Sequence, residues 1–189
     1  QILFGSMGRL SENSVINVKN KSHAVTAVIE VPKSGAEGVI IAQGGNIGGW
    51  TLYAKDGKLK YCYNLLGIQH FYVEGKTALS PGEHQVRMEF TYDGGGLGKG
   101  GKAALYVDGK KDGEGRIAAS AAMVFSADDG CDIGQDTGAP VSPEYGARGN
   151  EFTGRVKGVQ IAVAAAAEDA SHVARRAGRE SLRRRHSPY

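Results

Sequence analysis

Apolar and polar residues alternate with a period of two through most of the chain, the pattern of strands that bury one face. HAVTAVIEVP (His23 to Pro32) alternates and stops at a proline, and EGVIIAQGG (37–45) is a short apolar run closed by two glycines. WTLYAKDGKLKYCYNL (50–65) is the clearest hairpin: two alternating strands joined across Asp56-Gly57, a pair that tight primed turns prefer. FYVEG (71–75), HQVRMEFTYD (84–93), KAALYVDGK (102–110), AMVFSA (122–127) and FTGRVKGVQIAV (152–163) continue the series. Turn signals recur about every 8 to 12 residues, the spacing of an antiparallel sandwich or barrel. The pattern predicts an all-β domain.

The last 26 residues depart from this pattern. AAAAEDASHVARRAGRESLRRRHSPY (164–189) has helix-favouring composition, interrupted by Gly178, and a thin apolar stripe. Six arginines (Arg175, Arg176, Arg179, Arg183, Arg184, Arg185) face Glu168, Asp169 and Glu180 there, so the net charge of +3 belongs to this tail. Seventeen basic and 17 acidic side chains remain over residues 1–163. A neutral body argues against a nucleic-acid surface. The tail is expected to be helical or disordered, a solvated terminus rather than an arm for nucleic acid or anionic lipid. The expected boundaries are therefore 1–163 for the β domain and 164–189 for the tail.

Glycine is abundant, 29 of 189 residues, without a collagen-like period, as a fold with many tight turns requires. No run approaches the ~20 apolar residues of a membrane helix. The opening QILFGSMGRL has no initiator Met, basic stretch or cleavage site, and reads as a piece of something longer or a processed product. Cys62 and Cys131 suit either a lone disulfide or two buried thiols.

Three stretches invite a chemical reading. Gly96-Leu97-Gly98-Lys99-Gly100-Gly101 matches G-x-G-x-x-G literally, but a dinucleotide site needs a helix to follow, and KAALYVDGK is a strand. A Walker loop fails as well, with Gly100 after Lys99 and Asp93 where the first glycine belongs. This stretch is expected to be a strand-to-strand loop. Asp128, Asp129, Asp132, Asp136 and Glu144 form an oxygen-rich cluster that suits calcium, although aspartates beside glycines are also ordinary turn formers. Trp50, Tyr53, Tyr61, Tyr63 and Asn64 come from the hairpin and fit two roles: a platform that stacks on sugar rings, or packing between sheets. No carboxylate dyad, nucleophile elbow or His-Glu-x-x-His string is present, so no catalytic residue is assigned.

HQVRMEFTYD paired with KAALYVDGK, and followed by FTGRVKGVQI, resembles the laminin-G and concanavalin A-like jelly-roll sandwiches. At greater length, MGRLSENSVINVKNKSHAVTAVIEVP, GAEGVIIAQGGNIGGWTLYAKDGKLKYCYNLLG, YDGGGLGKGGKAALYVDGK, FSADDGCDIGQDTGAPVS and FTGRVKGVQI together resemble the C-terminal region of a group of large bacterial arylsulfatases. That resemblance covers about residues 5–163. It implies a non-catalytic accessory domain of a sulfuric-ester hydrolase, because the Cys/Ser-x-Pro/Ala-x-Arg motif that yields formylglycine is absent: Tyr63-Asn64 follow Cys62 and Asp132-Ile133 follow Cys131. Its implied partner is the sulfatase catalytic domain, against which the loop of Asp93, Gly96, Gly98 and Lys99 would pack. Localisation stays open between bacterial cytoplasm and export with the parent enzyme. The alternative is a lectin-like module gripping sulfated or neutral glycan through Trp50, Tyr53, Tyr61, Tyr63 and Asn64, with calcium at Asp128, Asp129, Asp132 and Asp136.

Overall fold

The computed structural model describes residues 1–5 and 7–164; the expectations for 165–189 lie outside the described residues. Eleven strands are described: β1 (Ile2–Phe4), β2 (His23–Val31), β3 (Gly38–Gly45), β4 (Gly48–Lys55), β5 (Lys58–Leu65), β6 (Gln69–Ala78), β7 (Gly82–Tyr92), β8 (Lys99–Val107), β9 (Lys110–Ala119), β10 (Cys131–Ile133) and β11 (Arg155–Val163). They form a six-stranded sheet in the order β1-β11-β2-β7-β8-β9 and a five-stranded sheet in the order β10-β3-β4-β5-β6, with every pairing antiparallel. This is a two-sheet jelly-roll sandwich, as the alternation predicts.

Turn chemistry sets the registers. Asp56 and Gly57 both have positive φ (51° and 73°), as do Asp108 and Gly109 (49° and 77°), the primed-turn geometry that matches strand twist. Between the sheets, Val25, Ile29, Trp50, Leu52, Leu59, Tyr61, Met88, Leu105 and Ile117 are fully buried. A second, smaller cluster of Val39, Ala42, Tyr53, Cys62 and Val141 lies on the other face of the five-stranded sheet, with Tyr145 packed against it. The sheet is thus covered on both faces. Val141 and Tyr145 belong to the loop after β10 that supplies this cover.

Three strands carry no clear alternation and were not predictable from it: β1, β10 and β9. In β9 (KKDGEGRIAA), glycines stand at alternate positions for a tertiary reason. A Cβ on Gly113 would meet the Glu74 carbonyl at 2.3 Å, and one on Gly115 would meet the Val73 side chain at 3.0 Å. The edges of the two sheets therefore close on each other at β6 and β9 only because side chains are missing there. Buried Asp112 accepts the Thr77 amide at 3.0 Å across the same seam.

The stretch AMVFSA (122–127) does not form the expected strand. Phe125 turns inward, its ring 6.2 Å from that of Tyr63, while Met123 and Val124 are exposed. The alternation there is that of a loop with one anchoring residue. Cys62 and Cys131 are free buried thiols in different clusters, Cys62 in the outer one and Cys131 in the core between the sheets. Burial pushes both thiols up to about 12.

Candidate functional site

The hairpin aromatics are spent inside the fold. Trp50 is 0 % exposed and its indole N–H donates to Gln43 Oε1 at 3.0 Å. Tyr61 is completely buried beside it, and Tyr63 uses its hydroxyl to accept the Ala121 amide at 2.7 Å. Tyr53 sits on the opposite face of the sheet and donates its hydroxyl to Glu144, to which Lys60 Nζ also donates at 2.8 Å. Asn64 is buried as well: its amide donates to the carbonyls of Gly45, Asn46 and Val141 at 3.0–3.1 Å, and its oxygen accepts the Gly67 amide at 2.8 Å. These five residues do not share a face, and none offers a surface to a sugar. They build the sheet and its loops.

Asp129, Asp132 and Asp136 bond to their own loops. Among the described residues, no three His, Cys, Asp or Glu side chains converge as a metal site. Asp129 accepts the Ser126 hydroxyl at 3.1 Å and wedges between Gly45 and Gly138, where a Cβ would lie 2.0 and 2.3 Å from its oxygens. Asp132 accepts the Arg9 amide on one oxygen and the Thr137 amide and hydroxyl (3.0 and 2.7 Å) on the other. Asp136, whose carboxyl burial pushes upward, accepts the Val141 amide at 2.9 Å and the Tyr145 hydroxyl at 2.8 Å. Asp128 is exposed and its carboxylate has no hydrogen-bond or ion-pair partner among the described residues. The carboxylates of Asp129, Asp132 and Asp136 organise loops, since short acidic side chains satisfy nearby N–H groups.

The glycine-rich connector joins β7 to β8 as a strand-to-strand loop. Asp93 pairs with Arg116, Tyr92 donates its hydroxyl to the Gly96 carbonyl at 2.7 Å and accepts the Lys99 amide at 2.9 Å, and Gly98 donates to Asn20 Oδ1 at 2.8 Å. Gly94, Gly95, Gly96 and Gly98 have φ between +67° and +124°. No backbone crowds the space that side chains on Gly94, Gly95 or Gly96 would fill. The glycines serve left-handed backbone.

What the fold does assemble is a groove of about 680 Å³ between residues 9–19 and 123–130. Residues 7–10 run beside β10: Ile133 donates to the Met7 carbonyl at 3.0 Å, and Leu10 and Cys131 exchange backbone bonds at 3.0 and 2.7 Å. Arg9 lies between those contacts with φ +52°, a left-handed backbone that costs a non-glycine residue roughly 1 kcal/mol. The Asp132 carboxylate holds it there through the Arg9 amide. Across the groove, Glu12 accepts the Phe125 and Ser126 amides at 3.2 and 3.4 Å and pairs with Lys19, whose ammonium lies 4.6 Å over the Phe125 ring. These bonds tie the two walls together. Ser11, Asn13, Asn17, Arg9 and Asp128 supply the polar lining, and Met123 (77 % exposed) and Val124 (51 %) the apolar part. Sequence reasoning missed this site because its two walls are more than 100 positions apart and the alternation of 122–127 points to a strand instead of a loop.

No protein-family profile matches the chain, and no curated protein does either. Solved structures do. The LG1-3 region of the laminin α2 chain superposes with TM-score 0.56 at 16 % identity, covering 85 % of this chain and 30 % of that one. Domains LG4-5 of the mouse laminin α1 chain give 0.51 at 21 % identity, covering 86 % and 41 %. The fold is the laminin-G, concanavalin A-like jelly roll. The chain spans about two fifths of that mouse laminin fragment. A Ruminococcus gnavus IT-sialidase CBM40, bound to α2,3 sialyllactose, shares this jelly roll with TM-score 0.55 at 11 % identity, covering 87 % of this chain and 92 % of its own.

Proposed function

We propose that this jelly roll is a carbohydrate-binding module and that the groove between residues 9–19 and 123–130 is its sugar site. The observation that carries the reading is the groove's amphipathic lining. A pyranose presents hydroxyls at its rim and C–H groups on its faces. Asn13, Asn17, Ser11, Arg9 and Asp128 offer donors and acceptors for the first, and the exposed Met123 and Val124 side chains an apolar surface for the second. The shared fold with a sialyllactose-binding module adds support of a general kind. Titration calorimetry of the chain against a panel of neutral, sulfated and carboxylated oligosaccharides tests it. Saturable binding that weakens in Asn13→Ala and Met123→Ala is expected, both positions being exposed and dispensable to packing. A flat trace across the panel overturns the reading.

A second reading makes the domain an accessory unit packed on an arylsulfatase catalytic domain. The sequence resemblance motivates it, and the exposed aliphatic tips Ile47, Leu66 and Ile68 would suit such a contact. Substituting Leu66→Ser and Ile68→Ser in the intact parent protein should then lower its melting temperature; an unchanged value sinks this reading.

A further inference from the structure

The charges in the groove are unequally committed. Lys19 and Glu12 neutralise each other, Glu12 also serves two loop amides, and Asp129 is wedged between glycines. The Arg9 guanidinium has no hydrogen-bond or ion-pair partner among the described residues, and Arg9 is exposed at the groove wall. Its backbone is the further oddity. Among the described residues five non-glycine positions have positive φ: Asn20, Asp56 and Asp108 are types that tolerate it, whereas Arg9 and Leu66 are not. At Arg9 the strained conformation is fixed by Asp132, itself anchored by Thr137. Strain held in place by a dedicated side chain, at the wall of a cavity, is a mark of a functional position.

We infer that Arg9 is the specificity-determining residue of the groove, and that it selects saccharides carrying an anionic group, a carboxylate or a sulfate ester. This rests on the sugar-binding reading above and deepens it. A guanidinium binds either anion through two parallel N–H donors, and such charge-assisted bonds are about twice as strong as neutral ones. Asp128 is the opposing charge left without a partner. Its carboxylate accepts hydroxyl protons but repels an incoming anion, so it limits affinity for the acidic ligand rather than providing it.

The test compares three oligosaccharides of one backbone, unmodified, uronate-bearing and sulfated, on the full chain and two variants that keep the residue 9 amide. Arg9→Gln is expected to weaken the acidic ligands roughly tenfold or more beyond whatever loss the neutral one shows. Asp128→Asn is expected to tighten the acidic ligands several-fold, and their affinity should fall with added salt. The uronate and sulfate arms separate the two sources of charge. Equal binding of neutral and acidic sugars, unaffected by Arg9→Gln, overturns the inference while the sugar module stands. No binding by any of the three overturns both.

Discussion

The hydroxyl of Tyr63, in the five-stranded sheet, accepts the backbone N–H of Ala121 at 2.7 Å where the chain leaves the six-stranded sheet. This bond, with the packing of Phe125 on the Tyr63 ring, fixes where the 120–130 loop begins and so positions one wall of the groove. Tyr63→Phe removes the acceptor and leaves a buried N–H without a partner. The expected loss is about 1–3 kcal/mol in urea denaturation, with faster amide exchange at Ala121. An unchanged midpoint would mean that the loop is held by Phe125 and Glu12 alone.

His23 makes stability depend on pH. Its Nδ1–H donates to the Lys21 carbonyl at 3.0 Å, and its Nε2 is buried without a hydrogen-bond partner beside Phe90. Burial drives the imidazole from its ordinary value of 6.5 down to about 4. Between those values the unfolded chain binds the proton and the folded one does not. The neutral ring therefore imposes no penalty above pH 6.5, and stability falls as pH drops from 6.5 to 4, by on the order of 3 kcal/mol in total. Melting temperatures measured from pH 7 to pH 4 should fall less steeply in His23→Leu than in the parent chain; parallel curves would contradict this.

The two thiols should be inert in the native state. Both are buried, free and held well above neutrality, and the thiolate is the reactive form. A thiol reagent at pH 8 should label neither cysteine in native buffer and both in denaturant. Rapid labelling of native protein would show that one cluster opens readily.

Alternation and turn dipeptides determined much of this protein by themselves. A period of two is a local steric property of a strand with one dry face, so β2, β4, β5, β7, β8 and β11 were visible in it, as was the Asp56-Gly57 turn. The resemblance to a laminin-G jelly roll was legible for the same reason. What tertiary structure alone decided is which face of each strand stays dry. Alternation already puts Trp50 and Tyr53 on opposite faces of β4, but only the fold decides that the first face meets the other sheet and the second meets the loop after β10. The glycines of β9 have their reason in Glu74 and Val73 of the facing edge, which no local pattern reveals. The groove is the extreme case. Arg9 carries no local signal and Asp128 shows only as one of an acidic cluster, because their place in one groove depends on a contact between segments more than 100 residues apart, which only the closing of the sandwich brings together.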